Sequence, residues 1–330
     1  MNILGLSQKN SGCGYHRVVL PLAYMEGIKG YVTNIPSDET IDSYNYLLYN
    51  RISVLDKNIH VLKDKGYKII LDLDDDWILP PSHILYENYL TLAPQIEINI
   101  KNADLVTVTN ERIYNRVKNI TDKVEILPNA LPYGVNQFTD ITHEADKVRI
   151  FWCGSITHDK DIALLKMPFK RLNAHKNVQM VIGGFNHSND FSKYLWERMW
   201  KDFTDHGKLD NLILPSCDPT DYMKLYEHAD IVVIPLEKSG WHAAKSNLKI
   251  LEAAAKKLPV IVSAVEPYIL DEDAPVLWVR NQSDWYKHLN NLINNKNLRE
   301  DYGQKIFEWA KTKYNYFEIN ERRKQLFESI

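Results

Sequence analysis

The residues of this chain that could do chemistry collect in a few short stretches. "KSNLKILEAAAKKLPVIVS" (245–263) sets one carboxylate, Glu252, inside an alanine-rich helix that runs into an apolar strand. Good helix formers fill positions 249–257, Pro259 stops the helix, and Val260-Ile-Val reads as a buried parallel strand. Three consecutive alanines let another backbone or a flat ligand come close; the plain alternative for Glu252 is a solvated surface carboxylate. "LDLDDDW" places Asp74, Asp75 and Asp76 side by side at a strand end, where like charges repel unless something compensates them. They read as a cluster that lines a site, orienting a hydroxyl or pairing with Arg17, or else as a helix cap before Trp77.

Glycines mark further candidate loops. "SGCGYHR" has Gly12 and Gly14, with Arg17 opening a helix; "IFWCGSITHDKD" supplies Gly154, Ser155, His158 and Lys160; "IGGFN" ends a strand on Gly183 and Gly184. Each suits a backbone that a ligand approaches closely, and each also suits an ordinary tight turn. His16, His83 and His158 are titratable groups in range for acid–base work, and packed histidines are the alternative. Cys13, Cys153 and Cys217 are odd in number and in no metal-ligand spacing, which fits small buried hydrophobes in a reducing compartment.

These loops need a scaffold, and the chain supplies one. With 330 residues, 45% hydrophobic and 25% charged, two soluble globular domains are expected. The net charge of −3 gives no global attraction to nucleic acid. Apolar runs fall well short of the roughly 20 residues that cross a bilayer, and the first residues carry no basic leader, so a cytoplasmic location is expected. One series of elements runs through strands at Met1–Leu6 and Tyr31–Ile35, helices near 18–26 and 56–65, then "YKIILDLDD" and "ADLVTVTN". "VEILPNALPY" is linker chemistry. A second series follows: "VRIFWCGS", "VQMVIGG", "LILPSC", "ADIVVIPL", the Glu252 helix, "LPVIVS" and a last helix over about 298–329. Alternating strands and helices predict α/β domains with parallel sheets, whose ligands bind beyond the carboxyl ends of the strands.

"PLEKSGWHAAKSNLKILEAAAKKLPVIVS" resembles the donor-binding segment of the GT-B glycosyltransferases, in the retaining, family 4-like group of small phage and bacterial type. There a strand ending in Pro leads to a loop, a helix carrying a Glu, and "xPVIxS". "IFWCGSITHDKD" is similar to the Gly-containing first loop of that family's second domain, and "ILPNA" to its interdomain "IPNG". The resemblance implies two Rossmann-like doubly wound domains facing a central cleft: an acceptor-side domain over 1–135, with a C-terminal helix near 308–330 packing back on it, and a donor domain over 136–307. It implies that Glu252 accepts hydrogen bonds from both ribose hydroxyls of a nucleotide-diphosphate sugar. Backbone amides near Lys245, Ser246 and Asn247 would face the diphosphate, favoured by the helix dipole, with Lys160, Ser155, Gly14, Gly154 and Gly183 around it and Arg17 at its junction with the acceptor. The family carries a second Glu eight positions earlier; Ala244 stands there, and His242 or Trp241 would fill that space.

What the resemblance implies for function is transfer of a sugar, from a UDP-sugar foremost, to an acceptor hydroxyl with retention. No metal or other cofactor is required; the nucleotide sugar is the co-substrate. The leaving diphosphate is neutralised by lysines, Arg17 and helix amides, and closure of the lobes around Pro128–Pro132 would exclude water. Two acceptor classes stay open: hydroxymethylated cytosine in phage DNA, and a glycan or lipid-linked acceptor. "RISVLDKNIHVLKDKGYK" carries five cations against two anions and could form a local basic patch. Three other readings compete. One is the single-domain GT-A fold, which holds Mn²⁺ or Mg²⁺ on an Asp-x-Asp motif like that at Asp74–Asp76; another is a nucleotide-sugar epimerase on the same fold; the third is a non-catalytic binding protein.

Overall fold

A computed structural model of the chain describes residues 1–141, 143–186 and 189–330. The chain divides into two compact units. Unit 1 comprises Met1–Ala130, Ala244–Ser246 and Asn315–Ile330; unit 2 comprises Leu131–Ala243 and Asn247–Tyr314. Each is built on six parallel strands, so the single-domain GT-A layout does not apply.

In unit 1 the strands are β1 (Asn2–Leu6), β2 (Lys29–Thr33), β3 (Tyr46–Asn50), β4 (Lys68–Leu73), β5 (Leu105–Val108) and β6 (Val124–Ile126), in the order β2-β1-β3-β4-β5-β6. Every neighbouring pair is parallel. Both faces are covered, because alternate residues enter different cores. Leu4, Leu47, Tyr49, Ile69 and Leu71 join one cluster, and Ile3, Leu48 and Ile70 join another with Val18, Leu22 and Phe327. This two-sided burial is what near-continuous apolar runs such as "YKIIL" encode.

Unit 2 repeats the plan with β7 (Val148–Cys153), β8 (Val178–Phe185), β9 (Asn211–Pro215), β10 (Ile231–Ile234), β11 (Val260–Ser263) and β12 (Leu277–Val279). The order is β12-β11-β10-β7-β8-β9, again wholly parallel. Successive crossovers leave β1 in opposite directions toward β2 and β3, and leave β7 toward β8 and β10. The crevices outside the carboxyl ends of β1/β3 and β7/β10 are therefore the two topological switch points, the usual place for ligands in such sheets. Among the described residues, no helix is long and apolar enough to cross a membrane.

Helices follow the sequence less evenly. The helix expected near 18–26 is a π-helical turn, Tyr15–Val19, continued by Leu20–Ala23. The helix containing Glu252 is α1 (Leu248–Ala255). The single C-terminal helix expected over about 298–329 is two helices, α2 (Lys296–Lys313) and α3 (Tyr316–Glu328). Asn315 breaks the run: its backbone is extended and its side chain caps the Phe317 and Glu318 amides, the favoured role of Asn at a helix start.

One expectation is corrected outright. Arg17 neither faces a ligand nor pairs with Asp74–Asp76; it is 1% exposed and forks onto Asp72, also 1% exposed, with Nε and Nη2 each 2.9 Å from a carboxylate oxygen. Nη2 also donates to the Leu127 carbonyl and Nη1 to Asn129 Oδ1. Thr107 completes the shell by donating to Asp72 Oδ2 at 2.6 Å. Four guanidinium donors are committed inside unit 1, so the residue ties the opening helical turns to β4 and to the segment after β6.

Two outcomes follow from this packing. Arg17→Met strands the Asp72 carboxylate in a dry interior and should cost about 3–5 kcal/mol in chemical denaturation. Gly303→Ala in α2 would drive a methyl group into the Lys257 carbonyl oxygen behind α1. Where an unhindered helix would gain up to about 1 kcal/mol from this change, thermal unfolding should instead show a loss of about 1–3 kcal/mol.

Candidate functional site

The carboxyl edge of the second sheet is shaped by glycines. β7 ends at Cys153 and passes into Gly154, where an added Cβ would sit 2.7 Å from the Trp152 ring and 3.0 Å from Lys249 Nζ. Gly184, at φ +88, has no room for a side chain either, because its Cβ position lies 2.5 Å from the Gly154 carbonyl oxygen. Gly183 pairs with Cys153, and the β8–β9 register shifts between Gly183 and Phe185. Backbone, rather than side chain, therefore forms this edge. Ser155 is exposed and hydrogen-bonded to Thr157 at 2.7 Å, and Lys160 is exposed on the short helix that follows.

Glu252 is no surface carboxylate. It is 3% exposed on α1 and accepts a 2.7 Å hydrogen bond from the Tyr226 hydroxyl, whose ring packs on Phe151. Burial pushes its carboxyl up to about 7, against the opposing pull of the Tyr226 hydrogen bond and of Lys249. Lys249 lies one turn earlier, donates to the Cys153 carbonyl at 2.7 Å and stands 5.1 Å over the Trp152 ring. The sequence reading missed it, although the i, i+3 spacing to Glu252 puts both on one side of the helix.

Asp161 was also missed. It is 1% exposed and receives the Glu237 amide at 2.7 Å on Oδ1 and His158 Nδ1 at 2.7 Å on Oδ2. His242 places Nε2 3.9 Å from the same oxygen and Nδ1 2.8 Å from the Glu237 carbonyl. Both ring nitrogens of His242 thus face protein groups, which makes it a pin for the loop after β10. Its Asp161 anchor holds a depressed carboxyl: burial alone would raise it, and the two histidines and the Glu237 amide outweigh that.

The expected trio at the start of α1 divides. Asn247 belongs to unit 2 and donates to Asp271 Oδ2 at 2.6 Å. Lys245 and Ser246 belong to unit 1, where Asn129 donates to Ser246 Oγ at 2.8 Å and Lys245 Nζ lies 3.8 Å from Asp75. That contact is part of how the three aspartates are compensated, each by a different cation. Arg51 is 3.1 Å from Asp74, Lys245 serves Asp75, and Arg116 is 3.0 Å from Asp76. Asp76, 4% exposed, also takes the Ile78 amide and so caps a turn; the helix-cap alternative does not hold, because the next helix begins only at Tyr86. Burial opposes ionisation of Asp74, yet Arg51, Asn50 and Arg17 hold it at about 2, while burial and Asp74 raise Asp75 despite Lys245. The three carboxylates diverge, and among the described residues no group of three or more His, Cys, Asp or Glu could hold a metal ion. Gly14 lies against Ser7, where a Cβ would overlap the Ser7 hydroxyl, and its amide donates to Ser11 Oγ at 2.9 Å.

Comparison with known proteins agrees with this architecture. Residues 147–295 match the family model described as glycosyl transferases group 1. No curated protein sequence matches the chain. Among solved structures, sucrose-phosphate synthase from Thermosynechococcus elongatus is similar with a TM-score of 0.69 at 13% identity, covering 100% of this chain and 98% of that one. HepE from Anabaena, in complex with UDP and glucose, is similar with a TM-score of 0.68 at 13% identity and covers 100% of both chains. The α,α-trehalose 6-phosphate synthase from Burkholderia multivorans follows at 0.59 and 12% identity, over 86% of this chain and 70% of that one. The chain has the GT-B fold, and its residues 147–295 are similar to the glycosyl transferases of group 1.

Proposed function

We propose that the chain transfers a sugar from a UDP-sugar to an acceptor hydroxyl, with unit 2 as the donor side and Glu252 as the ribose clamp. The observation that carries this reading is a carboxylate 3% exposed, held by a hydroxyl, one turn from a lysine that bonds to the end of β7. A carboxylate so placed is costly in the empty protein, and two ribose hydroxyls are the donors that offset the cost. UDP and glucose are what HepE holds in its complex, which supports uracil as the base here.

In this scheme Lys249 and Lys160, with the backbone at Gly154, neutralise the diphosphate. The bond from the anomeric carbon to the diphosphate oxygen breaks as the acceptor oxygen bonds to that carbon. The acceptor's proton passes to the departing oxygen on the same face, so configuration is retained. The protein contributes charge stabilisation and positioning, and lysines carry the charge in place of a divalent ion.

A glycan acceptor is favoured over DNA. In the basic stretch 51–68, Arg51 pairs with Asp74, Lys63 with Asp104 and Lys65 with Asp42, and farther along unit 1 Arg116 pairs with Asp76 and Lys118 with Asp122. A phosphate backbone needs unpaired cations.

Calorimetry on UDP-glucose and related UDP-sugars tests the clamp. Glu252→Gln, which keeps one acceptor oxygen, should weaken binding roughly 10- to 100-fold, the worth of one hydrogen bond to a charged group; an unchanged affinity for every UDP-sugar tried would sink the proposal. The pH dependence has a definite sign. The clamp needs the ionised carboxyl, so with a midpoint near 7 affinity should rise roughly tenfold between pH 6 and 8, and the Gln variant should show a flat profile.

A further inference from the structure

Unit 1 contains a cavity of about 210 Å³ at the carboxyl ends of β1 and β3. Leu6, Leu92 and Ile96 share its lining with Ser7, Ser11 and Arg51. It is smaller than the roughly 300–1,000 Å³ of sites for drug-sized ligands, which limits it to one compact group. Two backbone features show that the space is built. Gly14, also in the lining, has no room for a Cβ beside Ser7. Arg51 sits at φ +59, a left-handed conformation that a bulky side chain adopts at a cost and that is kept where function requires it.

Arg51 is the one charged side chain among the described lining residues, and its charge is spoken for. Nε donates to Asn50 Oδ1 at 3.2 Å, Nη1 to the Tyr89 hydroxyl at 2.8 Å and Nη2 to Cys13 Sγ at 2.9 Å, while Asp74 lies 3.1 Å from Nη2. An anion entering here would find its counter-ion already paired and would lie beside the Asp74 carboxylate, an arrangement that burial makes expensive. A neutral hydroxyl meets the opposite situation. Tyr89 Oη accepts from Arg51 and Ser11 Oγ accepts from the Gly14 amide, so each keeps its own O–H to donate. The leucine and isoleucine walls suit the apolar face of a sugar ring.

We propose that this cavity takes the acceptor end group, an uncharged, hydroxyl-rich unit the size of one monosaccharide, and that the Arg51–Asp74–Tyr89 arrangement excludes phosphorylated sugars. The inference rests on the transferase reading and specifies its second substrate. Sucrose-phosphate synthase and trehalose 6-phosphate synthase carry phosphate in their names; here the selectivity runs the other way.

Saturation-transfer NMR on the full chain, with and without UDP, tests it using glucose, galactose and maltose against glucose 6-phosphate and a hydroxymethylcytosine duplex. Neutral sugars should bind, and glucose 6-phosphate at least tenfold more weakly than glucose. Asp74→Asn, which frees the guanidinium charge, should narrow or reverse that ratio. Leu92→Trp, which fills the space, should abolish sugar binding while leaving the melting temperature and UDP-glucose affinity near those of the parent chain. Equal or tighter binding of glucose 6-phosphate, binding of the duplex alone, no sugar binding with or without UDP, or sugar binding that survives Leu92→Trp would each overturn the proposal. Sugar binding that persists without any UDP-sugar affinity would leave the cavity standing and remove the donor-side reading instead.

Discussion

Two-sided burial of a parallel sheet governs everything else in this molecule. When both faces of six strands are apolar, polar groups can only gather at the strand ends, and the crossovers decide which ends lie open. Leu6, Asn50 and Arg51 reach the first such edge; Cys153 and Gly154 reach the second, with Glu237 on the loop beyond β10. The conspicuous glycines belong to the same constraint. Gly14 lies against a small hydroxyl, Gly154 against the Trp152 ring and Gly184 against backbone, and a methyl at any of them meets an atom already in place.

Charges crowded into such edges must be matched, and the two units match them differently. Unit 1 pairs ion with ion: Arg17 with Asp72, Arg51 with Asp74, Arg116 with Asp76. Those carboxylates are spent on holding the fold. Unit 2 holds Glu252 with the Tyr226 hydroxyl, and burial raises its carboxyl to about 7, so that it exchanges its proton near neutrality. The contrast has a physical consequence: a carboxylate locked by guanidinium has little of its own to give a ligand, whereas one whose ionisation is costly gains when hydroxyl donors arrive.

Much of this was legible in the sequence because it depends on local patterns. Short apolar runs announced most of the strands, and an alanine-rich helix with one acid announced Glu252. Strand β3 was missed because "YNYLLYN" mixes aromatic, aliphatic and amide residues with neither alternation nor a clean apolar run. The helix Tyr86–Asn102 was obscured by Pro94 within it. Pairings over long separations left no local trace. Arg17 looked like a ligand-facing cation because Asp72, 55 positions away, is its partner only once β4 lies beside the first helical turns. Asp161 and Lys249 were overlooked because their importance lies in what they touch: an amide 76 positions away for the first, a carbonyl 96 positions away for the second.

The helix break at Asn315 has a consequence for how the protein comes into being. The stretch after it, Asn315–Ile330, belongs to unit 1, where Tyr316 donates to the Leu20 carbonyl, Asn320 to the Pro21 carbonyl, and Phe327 is fully buried with Ile3 and Leu22. Unit 1 is thus completed by a segment that follows the whole of unit 2 in the chain. Until Asn315–Ile330 is in place, one face of its strands stays incompletely covered, whereas unit 2 needs nothing beyond Tyr314.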